Sequence, residues 1–145
     1  MTYEECVEYI LSVPLFASKL GTRNLNRILN LMNHPEKTYP VIHVAGTNGK
    51  GSVSHTLAAL LQTAGYKVGL YTSPHLVDFN ERIRVNGEPI EHEYVVDFVE
   101  REKDFFEPLC PSFFELTTAL AFKYFADKNI DIAVIEVGLG GRLDC

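Results

Sequence analysis

The chain has 145 residues, of which 46% are hydrophobic and 22% are charged, and its formal net charge is −6. This length and composition predict one globular domain with a substantial buried core. The acidic balance and the lack of a basic run disfavour nucleic-acid binding, because phosphate contacts call for Lys and Arg. We expect no membrane span, since no apolar stretch is long enough, and the acidic N-terminus lacks the charge pattern of a signal peptide.

The cysteines indicate a reducing environment. Cys6, Cys110 and Cys145 are far apart in the sequence and suggest no pairing by their spacing. We therefore expect free thiols rather than disulfides or metal ligands, and a cytoplasmic protein.

Two amphipathic helices are predicted before the first strand. The first covers residues 2–12, where Thr2 and Glu5 have the spacing of a capping box. The second has its apolar stripe between Leu25 and Met32.

A glycine-rich loop follows the first predicted strand, residues 40–45, and a helix pattern begins directly after it. The loop reads Gly46-Thr47-Asn48-Gly49-Lys50-Gly51-Ser52. Glycines let backbone N–H groups approach an anion, and a helix N-terminus favours negative charge. Lys50 would reach the β and γ oxygens of a nucleotide, and a hydroxyl would face its metal ion. The loop is thus interpreted as a nucleotide phosphate loop.

This loop departs from the strict pattern G-x-x-x-x-G-K-[ST]. Val44 stands where the first glycine is expected, and Gly51 follows the lysine, so the hydroxyl comes one residue later at Ser52. A plain glycine-rich turn is the alternative. The apolar strand before the loop and the amphipathic helix after it favour the phosphate-loop interpretation.

The helix after the loop leads into a second strand. Its apolar residues are predicted to share one face, and Gly65 is predicted to end it in the C′ position. Residues 67–71 form the next predicted strand, so the order is strand, loop, helix, strand, which is typical of a parallel sheet with a right-handed crossover. The residues of the predicted face are Val53, Leu57, Leu60, Leu61 and Ala64.

The second half of the chain continues the α/β pattern. A long loop over residues 76–82 precedes a hairpin over residues 83–90, which is centred on Asn-Gly. Helices are predicted over residues 91–107 and from Ser112 to about Asp127, the latter well buried. Residues 131–137 are nearly all apolar, which predicts a strand covered on both faces.

Three candidate groups come together if the strands are parallel. Ligands of open α/β sheets bind outside the carboxyl ends of the strands, where the phosphate loop, Ser73 and Glu136 would lie. A carboxylate that ends an apolar strand is typical of metal binding in phosphate-loop proteins, and Mg²⁺ prefers oxygen ligands.

Each candidate has a simpler alternative. Ser73 can begin a Ser-Pro turn, and Glu136 can be a salt-bridged strand residue. Glu115 has the spacing of a helix-capping residue with Ser112, and Arg142 and Asp144 can form a solvated ion pair.

Four ordered motifs carry a family resemblance. Besides the phosphate loop they are Tyr71-Thr72-Ser73-Pro74-His75-Leu76, Phe79-Asn80-Glu81-Arg82-Ile83 and Glu136-Val137-Gly138-Leu139-Gly140-Gly141-Arg142-Leu143-Asp144. The chain resembles the Mur-ligase superfamily, and within it the folylpolyglutamate synthases and the bifunctional dihydrofolate synthases. The resemblance covers essentially the whole chain.

The resemblance implies a fold and a reaction. The fold is α/β and similar to phosphate-loop NTPases, with a mainly parallel sheet flanked by helices, truncated after about three core strands, plus a small hairpin. The family uses ATP and Mg²⁺ to phosphorylate the carboxylate of dihydropteroate or folate. The amine of L-glutamate then displaces the phosphate and forms an amide.

The resemblance also implies site residues. Lys50 would be catalytic, because its charge stabilises the transferring phosphoryl group, and Gly46 to Ser52 would bind ATP. Ser73 and Glu136 would hold Mg²⁺. The residues that match substrate-contacting regions are Leu20, Gly21, Thr22, Ser112, Phe113, Phe114, Glu115, Leu143, Asp144 and Cys145.

The resemblance further implies an incomplete enzyme. Residues 1–145 are expected to be the N-terminal part of the ATP-binding domain, with the C-terminal glutamate-binding domain absent. The parent protein is expected to be a monomeric ligase, whereas the chain alone is expected to bind nucleotide at most. The alternatives are another Mur-type amide ligase that acts on a cell-wall precursor, and a nucleotide-binding module without chemistry.

Overall fold

The computed structural model describes residues 2–12, 35–44, 50–73, 77–106 and 113–136. Predictions for the second helix, for most of the phosphate loop and for the C-terminal loop fall outside these ranges. Within them, no helix is both long enough and apolar enough to cross a membrane.

Helices and strands follow one another through the described residues in the predicted order. The α-helices are α1 (Tyr3–Ser12), α2 (Lys50–Thr63), α3 (His92–Phe106) and α4 (Phe113–Asp127). The strands are β1 (Val41–Val44), β2 (Val68–Tyr71), β3 (Ile83–Val85), β4 (Glu88–Pro89) and β5 (Ile132–Glu136). Short 3₁₀ helices cover Pro35–Thr38 and Phe79–Arg82, so the predicted loop at residues 76–82 is partly helical.

The strands form one mixed sheet in the order β1-β5-β2-β3-β4. β5 pairs in parallel with both β1 and β2, which confirms the predicted parallel core of three strands. β3 pairs antiparallel with β2 and with β4. The hairpin is therefore an extension of the main sheet, and the α/β fold class is confirmed.

Helices cover both faces of the parallel strands. On one face, α1, α3 and α4 enclose the larger core, which includes Phe125, Ala133 and Ile135. On the other face, α2 packs over a smaller cluster that includes Leu70 and Val134. The prediction that β5 is covered on both faces is confirmed.

Two local structures form as the sequence predicts, the capping box of α1 and the turn of the hairpin. The Thr2 N–H donates to Glu5 Oε1 at 2.9 Å, and the Glu5 N–H donates to Thr2 Oγ1 at 3.1 Å, which is a capping box at the start of α1. In the hairpin turn, φ is 50° at Asn86 and 82° at Gly87. These positive values are those of a type I′ turn, whose twist matches that of the flanking strands.

Helix α2 ends as predicted. Gly65 has a φ of 101°, and its N–H donates to the Gln62 carbonyl at 3.0 Å. The Tyr66 N–H donates to the Leu61 carbonyl at 3.1 Å. These two bonds are the Schellman motif, which places glycine at C′ because side chains rarely adopt this φ.

The predicted inner face of α2 is wrong at Val53, Leu60 and Ala64. Val53 and Leu60 are 55% and 63% exposed, and Ala64 is exposed too. Leu57 and Leu61 do pack on the sheet, together with Ala58, and Ser54 is fully buried. The helix is turned so that the polar Ser54 faces inward, whereas the prediction assumed that the most apolar stripe does.

Gly69 of β2 lies directly against the Phe125 ring of α4. A Cβ atom at this position would lie 2.7 Å and 2.8 Å from two ring carbons of Phe125, and 2.9 Å from Ile130 Cδ1. Phe125 is fully buried, so its ring has no free space to move into. Only glycine allows α4 to pack at this distance.

We expect Gly69→Ala to lower the free energy of unfolding by about 2 kcal/mol, because an added methyl group overpacks the core. Urea denaturation measures this loss. Phe125→Leu in the same background removes ring atoms, and the double variant should lose less than the sum of the two single changes. Additive losses would contradict the proposed clash.

Candidate nucleotide and metal site

The register of the parallel strands brings the candidate groups to one edge of the sheet. Glu136, the last residue of β5, pairs with Val44, the last residue of β1. On the other side of β5, Tyr71 at the end of β2 pairs with Ile135. We call this the carboxyl edge. The phosphate loop continues from Val44, and Ser73 follows Tyr71 by two residues, so their chain segments leave the sheet beside Glu136.

Glu136 shares a face of the sheet with helix α2. Val44 and Val134 both belong to the cluster covered by α2. Because side chains alternate along a strand, Glu136 lies on the same face as Val134, two residues before it. Its side chain is partly buried. A carboxylate thus stands on the side of the sheet where the helix after the phosphate loop begins.

The start of α2 is suited to an anion. The helix begins at Lys50, and its first turn holds no acidic residue that would oppose negative charge. Gly51 and Ser52 follow in that turn, and Ser52 is exposed. The predicted ATP-binding residues Gly46 to Gly49 lie outside the described residues. The backbone of α2 therefore supplies the positive end of a helix dipole at the carboxyl edge.

Ser73 follows a well-anchored piece of backbone. The N–H of Thr72 donates to the Arg82 carbonyl at 2.9 Å, which continues the pairing of β2 with β3 by one residue. Ser73 itself lies in a bend and is partly buried. The hydroxyl of Ser73 and the carboxylate of Glu136 are both oxygen donors, the type that Mg²⁺ prefers.

These two donors fit a metal site that the nucleotide helps to complete. Among the described residues, no group of three or more His, Cys, Asp or Glu side chains could hold a metal ion. Mg²⁺ is commonly bound by one or two protein ligands together with phosphate oxygens and water. The donor set at the carboxyl edge suits that kind of binding.

Two of the predicted substrate residues have buried side chains. Phe113 and Glu115 occupy the first turn of α4 and are only 8% and 3% exposed. Leu20, Gly21, Thr22, Ser112, Leu143, Asp144 and Cys145 lie outside the described residues, as does the side chain of Phe114. The structure thus places the side chains of Phe113 and Glu115 in the core.

Sequence reasoning missed a polar cluster around Asp78. The carboxylate of Asp78 accepts a hydrogen bond from the Tyr3 hydroxyl, and its other oxygen lies 2.9 Å from His92 Nε2. The rings of Tyr3 and His92 stack with centroids 3.6 Å apart. Asp78 also forms a capping box with Glu81 at the start of the second 3₁₀ helix. The spacing of Asp78 and Glu81 was a usable signal for this cap.

The cluster changes the acidity of its members. Burial raises the pKa of Tyr3, and the hydrogen bond to Asp78 raises it further. Burial would also raise the pKa of Asp78, but hydrogen bonds from Tyr3, the Asn80 N–H and His92 outweigh it and hold that pKa below 3.8, its ordinary value. The charged form of Asp78 is therefore favoured in the folded protein.

Comparisons with known proteins place the chain in a class. No family model matches it. A solved structure of folylpolyglutamate synthase from Thermotoga maritima superposes on it with a TM-score of 0.90 and 46% identity, over 98% of this chain and 34% of that one. A complex of folylpolyglutamate synthase with AMPPCP and folate gives a TM-score of 0.87 and 40% identity, over 99% of this chain and 37% of that one. The chain has the α/β fold of the Mur ligases.

A curated relative agrees with the solved structures. The dihydrofolate synthase/folylpolyglutamate synthase of Bacillus subtilis is 42% identical over 149 residues, which are 98% of this chain and 35% of that protein. Along nearly its full length, this chain is similar to folylpolyglutamate synthases and dihydrofolate synthases, which confirms the resemblance carried by its motifs. It spans about a third of the length of these relatives.

We expect Asp78→Ala to lower the free energy of unfolding at pH 7 by about 1 kcal/mol, the usual contribution of an N-cap side chain. Because folding lowers the pKa of Asp78, its charge stabilises the fold above pH 3.8 and loses this effect as the pH falls through the folded-state pKa. The gap between wild type and variant should therefore narrow in acid.

Denaturation curves at several pH values measure this gap. Asp104→Ala, which removes an exposed carboxylate of α3, is the control and should show a smaller gap at pH 7. A gap for Asp78→Ala that stays constant down to pH 2 would contradict a role for the ionised carboxylate.

Proposed function

We propose that this chain supplies the nucleotide and metal site of an ATP-dependent ligase that joins L-glutamate to the carboxyl group of dihydropteroate or folate. The pairing of Val44 with Glu136 carries the proposal, because it puts a carboxylate beside the strand that enters the phosphate loop. The relatives named above support the acceptor class. They are folate enzymes, which favours a folate over a cell-wall precursor.

The reaction needs an activated carboxyl group. A carboxylate is a poor electrophile, so transfer of the γ-phosphoryl group of ATP to a carboxylate oxygen creates an acyl phosphate and releases ADP. The amine of L-glutamate then attacks the acyl carbon, phosphate leaves, and the amine loses a proton. Catalysis of the first step rests on positioning and on stabilising negative charge at the phosphoryl oxygens.

Each part of the carboxyl edge has a role in this proposal. The N–H groups of residues 46–52 and the N-terminus of α2 bind the phosphates, and Lys50 neutralises charge on the transferred group. Ser73 and Glu136 hold Mg²⁺, which would supply further positive charge at the phosphates. Residues 20–22, 112–115 and 143–145 form the substrate region. Because Phe113 and Glu115 are buried, we propose that they have a structural role in this region.

The same proposal covers the parent protein. Residues 1–145 are the N-terminal part of its ATP-binding domain, and a further domain binds glutamate. We propose a cytoplasmic monomer with small-molecule ligands rather than nucleic acid or a membrane. The net charge of −6 on this chain supports the absence of nucleic acid and membrane among the ligands, since it opposes binding to phosphate backbones and anionic lipids.

Lys50→Ala should weaken the binding of Mg-ATP to this chain about 10- to 100-fold, because it removes a charge-assisted contact worth about 1.5–3 kcal/mol. Isothermal titration calorimetry measures the affinity. Lys67→Ala is a matched control, since Lys67 precedes β2 at the opposite edge of the sheet and should leave the affinity unchanged. Equal affinities of the wild type and Lys50→Ala would exclude the proposed role of the loop.

Glu136→Gln should reduce the gain in ATP affinity that Mg²⁺ produces and should not lower the metal-free affinity, because it removes a metal ligand together with a negative charge that repels the phosphates. The same titrations, run with Mg²⁺ and with EDTA, separate the two affinities. Glu88→Gln changes an exposed glutamate on the edge strand and serves as the control. A metal-dependent gain that is as large in Glu136→Gln as in the wild type would rule out this ligand.

A further inference from the structure

Arg82 lies between the carboxyl edge and helix α4. It is the last residue of the second 3₁₀ helix, and its guanidinium carbon is 5.0 Å from the ring centroid of Phe113. The ring centroid of Phe79 is 6.0 Å away. Both distances are within the range of a cation–π contact, and both rings are buried.

The backbone of Arg82 contacts the carboxyl edge of the sheet. Its carbonyl oxygen accepts the hydrogen bond from the Thr72 N–H at 2.9 Å. Thr72 directly precedes Ser73, the proposed metal ligand. A single residue thus contacts the end of β2 through its backbone and the first residue of α4 through its side chain.

The position of α4 at this end depends on contacts outside the helix. The Phe113 carbonyl accepts a hydrogen bond from Thr117 Oγ1 at 2.7 Å, but that bond lies within α4 and cannot orient the helix against the sheet. The Arg82 guanidinium is planar and partly buried, and burial lowers its pKa. A planar cation stacks on an aromatic ring in a way that a methionine or lysine side chain does not reproduce.

We propose that Arg82 is a positioning residue that holds the first turn of α4, and with it substrate residues 113–115, in a fixed relation to the carboxyl edge. This inference rests on the proposed function, because it assumes that those residues adjoin the pterin substrate. Arg82 acts through Phe113. Its loss should therefore change the binding of folate and leave the binding of nucleotide intact.

The experiment compares two ligands on the same variants. Wild type, Arg82→Met and Arg82→Lys, each made in the full-length parent protein, are titrated separately with folate and with Mg-ATP by calorimetry. Arg84→Met is the matched control. Arg84 lies two residues further on, is not one of the residues within cation–π distance of Phe113, and donates its Nε–H to the Glu81 carbonyl at 3.1 Å. Circular dichroism confirms that each variant is folded.

The proposal predicts that Arg82→Met weakens folate binding about tenfold and changes Mg-ATP binding less than about twofold. Arg82→Lys, which keeps the charge, should restore part of the folate affinity, and Arg84→Met should change neither ligand. A general loss of stability would weaken the binding of both ligands, whereas the proposal predicts a loss of folate affinity alone.

Other outcomes overturn the proposal in distinguishable ways. Unchanged folate binding in Arg82→Met excludes the positioning role, and equal losses for both ligands show that Arg82 only stabilises the fold. A wild type that binds Mg-ATP but not folate overturns the assignment of residues 112–115, and the role of Arg82 with it. A folded wild type that binds neither ligand contradicts the proposed function itself.

Discussion

The insertion of β5 between β1 and β2 is the constraint on which the rest of the structure depends. At the amino ends of the strands, the Asp131 N–H donates to the Lys67 carbonyl at 2.7 Å, and the Ala133 N–H donates to the Pro40 carbonyl at 2.9 Å. The Asp131 carboxylate accepts the Lys67 N–H at 2.7 Å. These bonds at the amino ends fix the register of both parallel pairs. The register in turn determines where Glu136, the last residue of β5, lies relative to the ends of β1 and β2.

The same register determines how closely the helices can pack. Gly69 of β2, which lies against the Phe125 ring, pairs with Ala133 of β5, so two of the smallest residues lie side by side. The small side chains let α4 approach the sheet, and Phe113, the first residue of the same helix, lies against the Arg82 guanidinium. Helix α4 therefore takes part both in the packing in the middle of the sheet and in the contact with Arg82 at the carboxyl edge.

The sequence was informative where structure depends on neighbouring residues and less so where it depends on distant ones. The turn at Asn86 and Gly87 follows from their tolerance of positive φ, and the elements around it were predicted correctly. The position of β5 could not be predicted, because strand order depends on contacts between distant segments. The face of α2 was wrong because Ser54 faces inward although Val53 is more apolar. Glu136 was identified as a candidate metal ligand because it ends an apolar strand, but the pairing of that strand with β1 was not predicted.

The central claim is that a nucleotide and its metal ion bind at the carboxyl edge of the parallel strands. Mn²⁺ is a paramagnetic ion that also prefers oxygen ligands, and it broadens the NMR signals of nearby amide protons most strongly. Titration of the ¹⁵N-labelled chain with Mn-ATP measures this broadening. We expect the amides of Val44, Thr72 and Glu136 to broaden well before those of Val41 and Val68, at the opposite ends of their strands. Equal broadening at both edges, or stronger broadening at the amino ends, would contradict the claim.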